Sequence, residues 1–104
     1  MAVPPTMAEA LSAIRRCLDE DRLLQTNELR ERLWQRGYTI HDVHRIIRIG
    51  RVEQAIRWRE DHSNFEVRIK ARTLDGRLTR VVLGLSESTL YGLLVTVIDL
   101  DSQV

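Results

Sequence analysis

The stretch TNELRERLWQRGYTIHDVHRIIRIG, Thr26 to Gly50, decides how this chain reads, because caps, apolar spacing and a stop signal agree within it. Thr26 can cap a first helix with its hydroxyl, Leu29 and Leu33 fall four apart on one face, and Gly37 stands where a left-handed residue ends a helix. Thr39 then caps a second helix, with Asp42 at its third position as a short variant of the capping box. Ile40, Val43, Ile46, Ile47 and Gly50 keep the spacing of a buried stripe there, while His41, His44, Arg45 and Arg48 fall mostly off it.

Upstream, Thr6 and Glu9 form a capping box for another helix that runs to about Asp21, after a flexible start over residues 1–5 set apart by Pro4 and Pro5. Its apolar residues Met7, Leu11, Ile14 and Leu18 repeat at four, three and four. Such a narrow seam packs either on its own domain or on the same helix of a second copy, which makes a homodimer through this helix one expectation. Cys17 lies beside that seam and reads as a small buried thiol.

Downstream of Gly50 the period changes from 3.6 to 2, and four strands follow. The first is Arg51 to Glu60, and the second, Phe65 to Leu74, sets Phe65, Val67, Ile69 and Ala71 on one face against Glu66, Arg68, Lys70 and Arg72 on the other. Asp75-Gly76 predicts a two-residue hairpin of type I′, in which both central residues need positive φ. The third and fourth strands, Leu78 to Leu85 and Leu90 to Leu100, are nearly continuous in apolar residues, and residues 101–104 read as a polar tail. The expected fold is α+β, with two to three N-terminal helices packed on one face of a four-stranded, mostly antiparallel meander, all in one domain over residues 1–104.

Composition excludes several classes. With 104 residues, 43% of them apolar and 30% charged, the chain has the make-up of a globular domain. Its longest apolar runs, VVLGL and YGLLVTVI, are too short to cross a bilayer, and its first residues have neither a basic start nor an apolar core. A single cysteine cannot form an internal disulfide, so the cytoplasm is the expected location. The net charge of +1 hides a gradient: residues 51–84 carry eight basic side chains against five acidic, and residues 85–104 carry none against three.

The pattern Thr26-x-x-Leu29-x-x-Arg32-Leu33-x-x-Arg36-Gly37-Tyr38-Thr39, with Asp42-Val43, Gly50, Asp75-Gly76-Arg77, VVLGL and LLVTVIDLD, resembles domain-of-unknown-function family 4258 over about residues 24–101. The resemblance implies a two-helix plus four-strand core similar to toxin ribonucleases of the RelE/BrnT type, in a family whose own activity is not established; RNA, or an antitoxin-like protein, is the partner expected of such a domain. This chain has Glu28 where the family usually has a His, so chemistry that depends on that His lacks it here.

Candidate site residues fall in two groups. Glu28, Arg32 and Arg36 are four apart on one helical stripe, where a carboxylate beside two guanidiniums could act as a base flanked by phosphate-holding cations, the catalytic set of an endoribonuclease. The same spacing also makes an ordinary helix-surface ion pair, the commoner outcome. The second group is a basic sheet face: Arg68, Lys70 and Arg72 on one strand, with Arg57, Arg59 and Arg80 on its neighbours, able to follow a phosphate backbone. Glu53 and Glu66 can interleave and neutralise part of it, and Trp34, Trp58 and Tyr91 are the aromatic residues that could stack on bases. His41 and His44 lack a third ligand at a metal-binding spacing, and no cofactor is expected.

Three functions compete: an RNA-binding or RNA-cleaving domain, a winged helix-turn-helix DNA binder using His41, His44, Arg45 and Arg48, and a non-catalytic interaction domain. An open basic sheet face favours RNA, and an outward basic helix over a covered sheet favours DNA. Pairing of Arg68, Lys70 and Arg72 with carboxylates favours the interaction domain.

Overall fold

In the computed structural model, which describes residues 3–101, the three threonines cap three helices: α1 (Met7–Asp19), α2 (Asn27–Arg36) and α3 (Ile40–Ile49). The Thr6–Glu9 and Thr39–Asp42 capping boxes are both closed, and Gly37 ends α2 at φ 69° with its N–H donating to the Leu33 carbonyl. Residues 1–2 of the expected flexible start and 102–104 of the expected polar tail lie outside the described residues.

The strands are β1 (Leu23–Gln25), β2 (Arg51–Val52), β3 (Arg57–Arg59), β4 (Asn64–Arg72), β5 (Leu78–Leu85) and β6 (Gly92–Asp99). They form one six-stranded mixed sheet in the order β1-β6-β5-β4-β2, with β3 also paired to β4. The α+β class agrees with the sequence, but the four-stranded meander is corrected at two places. Leu23–Gln25, outside the four expected strands, pairs parallel to β6 and covers its free edge. The expected strand from Arg51 to Glu60 is two short strands, because the chain advances from Val52 to Arg57 while β4 advances only from Ile69 to Glu66. The extra residues bulge out and bring Ile56 into the core.

The β4–β5 connection is also corrected. Only Gly76 has positive φ, at 88°, and its N–H donates to the Thr73 carbonyl. The turn therefore runs over Leu74 and Asp75, and Gly76 takes the left-handed position of a three-residue hairpin, not the second position of a type I′ turn.

All three helices lie on one side of the sheet. Phe65, Val67, Ile69, Val81, Leu83, Leu85, Leu94 and Val97 point inward from the strands, and one core cluster joins them to Leu29 and Leu33 of α2 and Val43, Ile46 and Ile47 of α3. Each such large side chain, fully buried, contributes about 1.5–3 kcal/mol relative to exposure, so period-2 and period-3.6 patterns facing each other define this layer. The inward face of α1 is Ala10, Ala13, Ile14 and Cys17, while Leu11 and Leu18 are half-buried and Met7 is exposed. The alanines let α1 approach α3 closely, which rotates the buried stripe away from the expected seam. Arg15 then reaches across, its Nε donating to the Ile47 carbonyl at 3.0 Å and its Nη2 to that of Gly50 at 3.3 Å, which satisfies the end of α3. Ile14 is thus buried within its own chain and is not presented to a second copy.

Candidate functional site

Strand alternation sends Glu66, Arg68, Lys70 and Arg72 of β4 to the side of the sheet that no described helix covers. Register carries Arg57 and Arg59 onto this outer face opposite Glu66 and Asn64, Arg80 opposite Lys70, and also Arg51 opposite Lys70. The basic residues expected to share a face do share it. Arg51, which is not among the expected basic residues, has the same parity as Arg57 and Arg59 in the expected strand, so period 2 could have found it, and only its pairing with Lys70 needed the register.

These cations are largely matched by carboxylates. Glu53 is held by Arg80, through Nε and, at 3.0 Å, through Nη2, with the Lys70 ammonium 3.6 Å away. The hydrogen bond from Arg80, and then the charges of Arg80 and Lys70, hold the Glu53 carboxyl below its ordinary range against the opposing effect of burial. Glu66 accepts from Arg59 Nη1 and, at 3.0 Å, from Arg68 Nε, while Arg59 also grips Asp61. Arg72 lies 3.7 Å from Asp101 and donates to the Gly76 carbonyl at 2.7 Å. Arg51 and Arg57 have no carboxylate partner among the described residues.

Beyond this ionic half, the outer face is aliphatic. Val82 of β5 pairs with Thr96, Arg80 with Ile98, and Gly84 with Leu93, while a bulge beside Val82 and Leu83 places Val95 on the same surface. Leu24, opposite Leu93, is 61% exposed. A strip of Val82, Leu93, Val95, Ile98 and Leu24 is therefore uncovered, beside a lattice of charges.

The α2 group lies elsewhere. Glu28 and Arg32 are exposed on the solvent side of α2, make no ion pair with each other, and stand on the helical side of the sheet. Arg36, also exposed, lies at the C-terminal end of α2, where its carbonyl accepts from Arg77 at 2.9 Å. The structure does not bring the Glu28 carboxylate together with the sheet cations.

The aromatic candidates separate too. Trp58 packs edge-on against Phe65 on the core side, with centroids 5.0 Å apart, Trp34 is 86% exposed on α2, and Tyr91 stands at the rim of the outer face beside Leu24. On α3, Arg48 is paired with Asp19 at 2.9 Å and Arg45 donates to the Arg72 carbonyl, so the basic side expected to enter a DNA groove is tied partly to its own fold. The His41 and His44 rings meet edge-on, and among the described residues no cluster of three or more His, Cys, Asp or Glu side chains could hold a metal ion. No described helix is long and apolar enough to cross a membrane.

No family model, curated protein or solved structure matches the chain.

Proposed function

We propose that the chain is a non-catalytic interaction domain whose docking surface is the outer face of the sheet. The observation that carries this reading is the pairing of Arg68, Lys70 and Arg72 with Glu66, Glu53 and Asp101 beside an uncovered aliphatic strip. A face built to grip phosphate leaves its cations free, whereas a dry strip with a polar, internally satisfied border matches the core and rim of a protein interface. The strip is also aliphatic where a sheet that binds single-stranded RNA places aromatic rings for base stacking. An antitoxin-like polypeptide is one occupant of this kind. The cytoplasm suits a chain whose one cysteine is buried as a thiol.

One observation favours RNA as a second reading. Glu53 and Glu66 each serve more than one cation and Arg51 and Arg57 have none to share, so the face keeps an excess of positive charge. Binding and cleavage of a mixed single-stranded RNA at low and high salt, with the native chain, the Arg68/Lys70/Arg72→Ala variant and Glu28→Gln, decide between them. The interaction domain is expected to show neither cleavage nor binding that depends on those three side chains. Salt-sensitive binding lost in the triple variant would overturn it in favour of RNA, and cleavage lost in Glu28→Gln would make the chain a ribonuclease.

A further inference from the structure

The outer face is not flat. At the end of the sheet where β4 begins and β5 ends, a hollow of about 280 Å³ has Val82, Gly84, Leu93 and Val95 as its floor and Asn64 and Glu66 in its wall. A second hollow of about 230 Å³ shares Asn64, Gly84 and Leu93 with it and continues to Tyr91 and Leu24. Because they share His62, Asn64, Gly84 and Leu93, the two hollows adjoin and form one shallow channel running from Val82 towards Leu24, across the strands.

Three properties of the channel define what fits. Its floor is aliphatic, so it rewards burial of an apolar side chain. Its polar wall is largely spent: both Glu66 oxygens are taken by Arg59 and Arg68, and the Thr26 hydroxyl donates to the Leu94 and Val95 carbonyls. Two groups are less committed: the exposed His62 ring, which lines both hollows and lies 3.4 Å from Asp61, and the Asn64 carboxamide, which makes no side-chain hydrogen bond among the described residues. It lies over Gly84, where any Cβ would run into it, so glycine is what lets the amide sit at the floor. A carboxamide offers donors and an acceptor together, and its natural complement is another amide, such as a peptide group.

The third property is charge. Arg57 stands directly opposite Glu66, whose side chain lines the first hollow, yet that carboxylate is already engaged by Arg59 and Arg68, which leaves an uncompensated cation one strand beyond the hollow. Arg51, opposite Lys70, adds to the same sign on the β4 edge. The complement is an acidic side chain on the occupant, and a second copy of this positively biased face would instead meet like charge.

We infer that the channel seats an extended acidic segment of a partner polypeptide. One large apolar side chain fills the hollow between Val82, Leu93 and Val95, the adjoining peptide group pairs with Asn64, and an Asp or Glu reaches Arg57. This rests on the interaction-domain reading and adds to it the class of partner and its place on the face.

The test selects binders from a random-peptide phage library on the intact chain and measures the selected peptides by fluorescence anisotropy. They are expected to carry Asp or Glu near a large apolar residue and to bind Asn64→Leu about tenfold more weakly. Arg57→Glu, which alters an exposed side chain and keeps the test valid if Asn64→Leu does not fold, is expected to reverse the preference to basic peptides. Peptides that bind both variants as tightly as the native chain but are lost with Ile98→Lys would overturn the channel and leave the docking face standing. Selection of no peptide would overturn both. A single-stranded RNA oligonucleotide whose binding is lost in Asn64→Leu would overturn the peptide and give the channel to nucleic acid.

Discussion

The Tyr38 hydroxyl lies 2.8 Å from Thr79 Oγ1, both side chains buried, and Thr79 in turn donates to the Arg77 carbonyl at 3.1 Å. With its own proton spent on Arg77, Thr79 accepts from Tyr38. The Arg77 guanidinium lies 4.0 Å over the Tyr38 ring and donates to the Arg36 and Gly37 carbonyls, so the β4–β5 hairpin is tied to the end of α2 through this one cluster. Tyr38→Phe is expected to cost about 1 kcal/mol, and Thr79→Val about 2 kcal/mol, because the latter leaves a buried hydroxyl without an acceptor. Urea unfolding of both variants at neutral pH checks the order.

The same tyrosine sets an alkaline limit. Burial pushes its hydroxyl above the ordinary value of 10.0. A raised folded value means the folded state keeps its proton longer than the unfolded state, so the stabilisation is full below pH 10 and is lost as pH rises from there through the folded value. Melting temperature against pH above 9 is expected to fall more steeply in the native chain than in Tyr38→Phe, and equal slopes would remove the assignment.

Glu53 sets an acid limit with the opposite sign. Its folded value is depressed below 4.5, chiefly by the Arg80 hydrogen bond, so its contribution is full above that pH and is lost as pH falls through the depressed value. Its side chain is only 16% exposed, and Glu53→Gln is expected to cost about 1–2 kcal/mol at neutral pH. The difference between the two proteins closes in acid, which paired urea titrations at neutral and acid pH would show.

Gly50 is a steric requirement. It follows α3 with an extended backbone, and a Cβ there would clash with the Ile46 carbonyl oxygen and lie 2.6 Å from Ile69 Cγ2 and 2.9 Å from the Lys70 carbonyl oxygen. Gly50→Ala is expected to cost roughly 2 kcal/mol through displacement of α3 from β4. A urea midpoint unchanged from the native chain would show that the helix can move away freely.

Cys17 is expected to be inert. Its Sγ is fully buried among the Thr89 and Leu90 carbonyls, and burial pushes the thiol above its ordinary value. Reaction with an aromatic disulfide reagent should follow the rate of opening of α1 and accelerate in sub-denaturing urea. Immediate reaction of the native chain would contradict this burial.

Local signals were legible because they need only neighbours in the chain. Thr6 with Glu9, Thr26, Gly37, and Thr39 with Asp42 satisfy or end their helices within four residues, and all stand where the sequence places them. Strand β5 is found as read, and the alternation of β4 correctly separates Val67 and Ile69 from Arg68 and Lys70. The β4–β5 turn misled because Asp-Gly suits two hairpins, and the choice depends on how Thr73 pairs with Arg77 across the strands.

The seam of α1 misled for a related reason. Spacing shows that a helix has an apolar side, but the alanines that permit close approach to α3 decide which part of that side is buried. The candidate site shows the same division. Which strand residues share a face follows from period 2, while which carboxylate answers which cation follows from register, as with Arg57 opposite an already engaged Glu66.

The sequence by itself determined the helices, their caps, the alternating strands and the α+β class, since each is a matter of hydrogen bonds and periodicity over a few residues. Tertiary structure alone decided that Leu23–Gln25 joins the sheet, that Arg51–Arg59 breaks in two, and that the basic face is paired, channelled and half aliphatic. Those features depend on contacts between residues far apart in the chain, whose energies are comparable to one another and are chosen only when the whole core packs.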